Sequence, residues 1–497
     1  MLGSVAILVH LTACLALALF GVHRVWLLVE YLRDRRRRRE GASERLSFAG
    51  ELPRVTVQLP LYNERAVAER LIDAVCALDY PRDRLEVQVL DDSTDDTAVV
   101  VAEAVARWRA RGVAVEHVRR QERVGFKAGA LAHGLSLARG ELIAIFDADF
   151  VPRPDFLRAT VPAFADPGVG MVQARWGHLN RGRSWLTAAQ AVFLDAHFTI
   201  EHAVREARGR FFNFNGTAGI WRKSAIERAG GWDAATLTED LDLSFRAQLA
   251  GTRFCYLDHV EVPAELPDDV NAFKGQQHRW AKGSIQTARR LLGAVWRAPL
   301  PLGVRIDATL KLTQNLAFLL LALVVVTMPA AALARAMGSA TWVRAGDLAT
   351  LGLATLPVAC HFLVAQRARG TPWHRALLAL PLALGLGAAL SVNNARAVLE
   401  GLFGFGTNVF VRTPKRGEGG GGAYKTPPHP LVVVELCLGA FHLVAAGLLV
   451  LAGHAWTTPF LWLFGASLVA LALNSVVAPL RRRLLPGRAV PALETSR

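Results

Sequence analysis

The chain has 497 residues, 52% of them hydrophobic, with 57 Lys and Arg against 42 Asp and Glu and a formal net charge of +15. That length exceeds one ordinary domain, and the composition points to water-soluble and lipid-soluble parts in one polypeptide. The basic excess lies largely beside apolar segments, so it is read as the cytoplasmic flanks of a membrane protein and not as a nucleic-acid surface.

The elements follow in chain order. Leu2–Phe20 is apolar enough to cross a bilayer, which takes about 18 residues. It lacks a basic n-region and is followed by Arg33 and Arg35–Arg39. It is therefore expected to be a retained anchor with its N-terminus outside, not a cleaved signal. Beyond it, predicted strands at Val55–Leu59, Leu85–Leu90, Val113–Val118 and Leu142–Phe146 alternate with predicted helices at Ala66–Leu78, Thr97–Arg111 and Lys127–Ala138. This alternation predicts a mostly parallel, doubly wound α/β domain over residues 50–265. Ligands of such sheets bind beyond the carboxyl ends of the strands.

Residues 266–309 read as amphipathic helix bridging that domain to the bilayer. Leu316–Leu333, Leu348–Ala365, Leu431–Leu451 and Pro459–Pro479 are expected to span it. Leu377–Val392 is broken by Pro381 and glycines and has basic residues on both flanks, so it is expected to be interfacial or re-entrant. The expected plan is an anchor and basic segment (1–49), the α/β domain (50–265), interface helices (266–309) and two spans (310–366). An interfacial segment with a loop (367–429), two more spans (430–480) and a cytoplasmic tail (481–497) complete it. Five spans place Arg481–Arg483 in the cytoplasm. Cys14, Cys76, Cys255, Cys360 and Cys437 form no Cys-x-x-Cys pair, so no zinc site or disulfide framework is implied.

Polar motifs fall at the ends of the predicted strands. Asp91-Asp92-Ser93 ends the second, and Asp147-Ala148-Asp149 ends the fourth. Two carboxylates at i and i+2 beyond a strand can converge on one hard cation, Mg2+ or Mn2+, together with diphosphate oxygens. Asp95 and Asp96 read as turn and helix caps. Thr238-Glu239-Asp240 opens a helical stretch, Asp240–Ala250. Thr238 suits an N-cap, Asp240 suits a general base facing an anomeric carbon, and Asp242 reads as structural. In Gln276-Gln277-His278-Arg279-Trp280, the guanidinium can grip a diphosphate and the indole can stack on a sugar.

In this order the motifs Asp91-Asp92, Asp147-x-Asp149, Thr238-Glu239-Asp240 and Gln276-x-x-Arg279-Trp280 resemble processive family-2 glycosyltransferases, the cellulose synthase and mannan-synthase-like group. Pro60-Leu61-Tyr62-Asn63-Glu64, Gly125–Leu131 and Asn215-Gly216-Thr217 match as well. The resemblance implies a cytoplasmic GT-A-type domain, Rossmann-like, joined to a helical transmembrane bundle. It implies that Asp91 or Asp92 contacts the nucleoside, that Lys127 lies near the nucleotide and that Asp147 and Asp149 hold the metal–diphosphate. It makes Asp240 the base, with Glu239 beside it in the catalytic motif, and puts Gln276 and Arg279 on the diphosphate and Trp280 on the acceptor end.

Phe410-Val411-Arg412-Thr413-Pro414-Lys415 resembles the gating loop of cellulose synthase, with Thr413 and Lys415 reaching the diphosphate; Arg412 replaces the usual valine. Asn213-Phe214-Asn215-Gly216 stands where cellulose synthases tend to have Phe-Phe-Cys-Gly, so the sugar is open to differ. The implied activity is inverting polymerisation of a β-glucan or β-mannan from UDP-glucose or GDP-mannose onto a growing glycan, coupled to translocation across a bacterial inner membrane. The alternative is a single-addition lipid glycosyltransferase. Glu435 and His442, seven residues apart in one apolar span, are expected either to border a glycan channel or to make a helix–helix hydrogen bond.

Overall fold

The structure, a computed structural model, describes residues 2–41, 51–338, 341–408, 413, 417 and 430–484. Seven strands form one sheet: β1 (Val55–Leu61), β2 (Leu85–Asp91), β3 (Val115–Val118), β4 (Leu142–Ile145), β5 (Val169–His178), β6 (Gly219–Arg222) and β7 (Arg253–Ala264). Their order is β3-β2-β1-β4-β6-β5-β7. β3, β2, β1 and β4 run parallel, β6 runs antiparallel to β4 and β5, and β7 is parallel to β5.

The central strands are buried on both faces and read as continuous apolar runs, as a covered parallel sheet requires. Helices Arg65–Cys76 and Thr97–Ala110 cover one face through Val67, Leu71, Ile72, Val101 and Val105. Phe126–Leu137 covers the other through Ala128 and Leu131, where Trp221, Phe212 and Phe214 also pack. Each fully buried large apolar side chain contributes about 1.5–3 kcal/mol, so this layer alone accounts for much of the sheet's rigidity.

Two differences from the expected strands have local causes. β3 starts at Val115, not Val113, because the Val113 N–H turns back to the Trp108 carbonyl at 3.1 Å and is lost to the ladder. β5 to β7 carry weak alternation. In the β5–β7 pair the register jumps from Ala174↔Leu257 to Arg175↔Glu261, and the bulge breaks the period-2 pattern that marks a strand.

The 266–309 region is two helices, Val270–Arg297 and Leu302–Thr313. The first begins where Asp269 caps it by accepting from the Ala272 N–H at 2.8 Å. Five described helices are long and apolar enough to cross a membrane: Gly3–Asp34, Leu316–Ala336, Trp373–Phe403, Val432–Leu451 and Pro459–Val477. The expected span Leu348–Ala365 falls within the helix Thr341–Ala368, part of which lies outside the described side chains.

Leu377–Val392 lies inside one continuous helix of 31 residues, so it is not a re-entrant turn. Just before this helix, Gln366 donates to Asp195 at 2.8 Å and Arg369 to Glu261 at 2.9 Å, both on the α/β domain. At its far end Glu400 accepts from Lys282 of Val270–Arg297 at 3.1 Å. Both ends therefore rest on elements that carry the sheet or its pocket, despite a length of about 46 Å at 1.5 Å per residue.

Candidate active site

A cavity of about 180 Å³ opens beyond the carboxyl ends of β1, β2 and β4. Asp92, Lys127, Asp147, Asp149, Glu239, Asp240, Gln276, Arg279, Trp280 and Thr413 all line it. They come from six separate stretches of chain and are brought together by the crossovers of the sheet.

The local geometry explains each position. β4 ends at Ile145, and Thr217 Oγ1 accepts from the Asp147 N–H at 2.9 Å, which fixes the turn holding Asp147 and Asp149. Lys127 sits in the first turn of Phe126–Leu137. Its Nζ donates to Asp147 Oδ1 at 2.5 Å and to the Gly216 carbonyl at 2.9 Å. Gly216 has φ +80°, and a Cβ there would lie 3.1 Å from Asp240 Oδ2 and 3.4 Å from Lys127 Nζ. Glycine is thus needed both for the backbone and for the approach of Asp240 and Lys127.

Glu239 and Asp240 open the helix Glu239–Leu249, where carboxylates are favoured by the helix dipole. Thr238 occupies the N-cap position but does not cap; its hydroxyl meets Thr287 of Val270–Arg297 at 3.2 Å. That contact docks the helix of Glu239 and Asp240 onto the helix of Gln276, Arg279 and Trp280. Asp242 is fully buried on Arg246 at 2.6 Å, a structural pair. Asp95 accepts from the Thr97 N–H at 3.0 Å and so caps the turn, whereas Asp96, at the N-cap position of Thr97–Ala110, makes no side-chain cap bond.

The charges act on one another. Burial, then the neighbouring Glu239 carboxylate, pushes Asp240 up to about 7. Glu239 is raised as well, first by burial. Burial opposes the charge on Lys127, but Asp147, Glu239 and Asp240 outweigh it and hold its ammonium above the ordinary range. Burial wins at Arg279, which is lowered despite the same carboxylates. Both cations are partly buried and face acids.

The sequence leaves Asp91 and Asp92 as alternatives for the nucleoside contact. Asp92 lines the cavity and pairs with Arg120. Asp91 lies below it, 1% exposed, and accepts from the Ser93 N–H at 2.8 Å beside His117, also at 2.8 Å. Asp91 therefore shapes the turn and does not line the cavity. Thr413 reaches the cavity wall, 8% exposed, with a buried hydroxyl that has no hydrogen-bond partner among the described residues. Lys415 and the rest of its motif apart from Thr413 lie outside the described residues.

Some lining residues went unremarked as site residues. The Arg123 guanidinium stacks 3.4 Å over the Tyr62 ring, and both line the cavity with Glu265. Tyr62 lies within a segment already noted, whereas Arg123 is hidden in a run of arginines and Glu265 follows the unpredicted β7. Glu435 and His442 share a helix face, yet both are fully buried. Glu435 pairs with Lys274 at 2.6 Å, and the His442 ring lies 6.4 Å from Phe464. These are helix–helix contacts among the described residues.

Residues 53–283 match the family model described as Glycosyltransferase like family 2. The chain is 45% identical over 254 residues to glucomannan 4-beta-mannosyltransferase 2 of Arabidopsis thaliana, covering 50% of this chain and 48% of that protein. It is 46% identical over 253 residues to glucomannan 4-beta-mannosyltransferase 1 of Oryza sativa subsp. japonica, covering 49% and 48%. The chain thus spans about half the length of the curated relatives it matches. Among solved structures, mannosyltransferase PcManGT from Pyrobaculum calidifontis in complex with GDP-Man and Mn2+ is 23% identical, covers 78% of this chain and 99% of that one, and gives a TM-score of 0.49, too loose a likeness to argue from. Residues 53–283 are a glycosyltransferase family 2 domain with a GT-A-like, mostly parallel sheet and a Rossmann-like core.

Proposed function

We infer that the protein is a membrane-embedded, inverting hexosyltransferase that extends a β-linked glycan from a nucleotide sugar. One observation carries this reading: Asp147, Asp149, Asp240, Arg279 and Trp280, far apart in sequence, line one cavity. The names of the relatives favour a mannosyl donor, so GDP-mannose comes before UDP-glucose.

A divalent cation fits the donor set. Asp147 and Asp149 offer hard carboxylate oxygens at the cavity wall. Among the described residues no three His, Cys, Asp or Glu side chains group so as to hold an ion, so diphosphate oxygens and water would complete the shell. When bound, Mg2+ or Mn2+ neutralises charge on the leaving diphosphate.

The protein's own groups do the rest. Lys127 and Arg279 hold the diphosphate, with Gln276 beside them and Thr413 offering its unpartnered hydroxyl. Trp280 stacks on the acceptor sugar. Asp240, with Glu239 beside it, accepts the proton of the acceptor hydroxyl as that oxygen attacks the anomeric carbon from the face opposite the diphosphate. A base held near 7 can release that proton between turnovers.

The membrane arrangement belongs to the same reading. The N-terminal helix, Leu316–Ala336, Thr341–Ala368, Val432–Leu451 and Pro459–Leu484 cross the cell membrane, of the bacterial inner type. Trp373–Phe403, anchored at both ends to the catalytic side, lies along the interface. The sheet then faces the cytoplasm, and the glycan leaves through the bundle.

The test is to incubate purified protein with labelled GDP-mannose and, separately, UDP-glucose, each with Mg2+ or Mn2+. A polymer that stays at the chromatographic origin and yields to a β-mannanase or β-glucanase is expected. A mobile glycolipid would instead support single addition to a lipid, and no transfer from either donor would overturn the reading.

A further inference from the structure

The helix Val270–Arg297 presents Gln276, Arg279 and Trp280 to the cavity. Its pocket-facing stretch has few apolar anchors, and polar contacts hold the helix on both sides of it, Asn271 on the Ser475 carbonyl at 2.9 Å and Ser284 on the Leu312 carbonyl at 3.1 Å. Two lysines flank that stretch, Lys274 before it and Lys282 after it. They are 0% and 1% exposed, which is rare for lysine unless it is fully engaged.

Both are engaged with the chain on either side of residue 413. Lys282 Nζ donates to Glu400 Oε2 at 3.1 Å, to the Phe405 carbonyl at 3.2 Å and to the Thr407 carbonyl at 2.9 Å. Those groups lie at the end of Trp373–Phe403 and just beyond it. Lys274 Nζ donates to Glu435 Oε2 at 2.6 Å, in the first turn of Val432–Leu451. All three donors of Lys282 are used on fixed acceptors, so a shift of the helix along its axis breaks several bonds at once.

We propose that Lys274 and Lys282 are positioning residues: they lock the axial register of Val270–Arg297 and so set where Arg279 meets the diphosphate. The proposal rests on the donor-pocket reading above. It differs from ordinary bundle packing in one measurable way, because a positioning residue acts through the residue it positions.

The test is a double-mutant cycle on the full-length protein, read as kcat/KM for the nucleotide sugar. Lys282→Gln is expected to lower it roughly 10- to 100-fold, since misplacing a binding group by about 1 Å costs on that order. In an Arg279→Ala background the same change is expected to cost at least about threefold less than in wild type, because one interaction it serves is gone and only the displacement of Gln276 and Trp280 remains. Equal losses in both backgrounds would overturn the proposal. If Arg279→Ala turns over too slowly, the affinity for GDP and UDP is measured on the same four proteins, with the same two outcomes.

Glu400→Gln removes the anion from Lys282 with little change of shape. It serves where Lys282→Gln is not recovered in monodisperse form, and is read in the same cycle. Exchanging the other pair, Lys274→Glu with Glu435→Lys, is expected to restore most of what either single change loses; no recovery counts against the pair. Wild-type protein that binds neither GDP nor UDP would refute the pocket reading itself, whereas intact binding with additive losses refutes only the register lock.

Discussion

Two buried clusters of charge lie close together in this protein and behave in opposite ways. In the cavity, Glu239 and Asp240 are raised, Asp240 to about 7. At the junction between the catalytic domain and the helices, burial also opposes the charge on Glu201, but His197, Arg205 and Lys311 outweigh it and hold the carboxyl well below the ordinary range. Asp307 is lowered too, against burial, by Arg205 and His23. Glu201 meets Arg205 at 3.1 Å and His197 at 3.2 Å, and Asp307 meets Arg205 at 3.2 Å and His23 at 2.8 Å. The junction has closed its ion pairs within the protein. The cavity gathers more carboxylates than cations, with Glu239 and Asp240 side by side among them. Buried charge of the first kind holds structure together, whereas raised carboxyls of the second kind are, across proteins, a mark of functional sites.

Mutations can break this contrast. The largest effect is expected at Asp240→Asn: kcat falls by about 1000-fold, in the range for loss of a general base, while the affinity for the nucleoside diphosphate changes little. Steady-state kinetics beside calorimetric titration checks both halves. Glu201→Gln is expected to act on folding instead, costing about 3–5 kcal/mol because it leaves Arg205 buried and less compensated. A lower thermal midpoint in detergent, with nucleotide affinity retained by the folded fraction, is the predicted pattern. Glu239→Gln should not destabilise, since it relieves like-charge crowding.

Acidity sharpens the contrast further. The base acts ionised, so kcat/KM is expected to fall about tenfold per pH unit below about 7 and to level off above it. The stability sign is opposite. A carboxyl raised in the folded state binds more protons folded than unfolded, so its contribution weakens as pH rises from the ordinary carboxylate range to about 7. Asp240→Asn should remove that decline, which thermal midpoints between pH 4 and pH 8 would reveal. Smallest of all, Glu69→Ala beside Arg107, a half-exposed pair at 2.7 Å, should change stability by less than about 1 kcal/mol.

Much of the site could be read before the fold was known, for a physical reason. Asp147, Asp149, Glu239, Asp240, Arg279 and Trp280 sit in short motifs whose chemistry needs those residue types at those spacings, and all reach one cavity. Asp91 and Asp92 could not be told apart from sequence, because adjacent residues at a strand end point in opposite directions and only the register with β1 and β3 decides. β5 to β7 were illegible because a bulge and an antiparallel insertion blur the period. The Glu201–Arg205–Asp307 network was invisible because its members come from three elements, His23 included, and none forms a motif. The flanking charges of Leu377–Val392 suggested an interface, whereas the full helix Trp373–Phe403 is long and apolar enough to cross a membrane; tertiary contacts at its two ends bear on that choice.

The central claim is that these scattered acids serve one transfer reaction. Its most direct test is transfer of labelled mannose from GDP-mannose, with Mn2+, by wild type and by Asp240→Asn prepared side by side. The account predicts β-mannanase-sensitive product from the wild type and about a thousandfold less from the variant at equal GDP binding. Comparable product from both would contradict it.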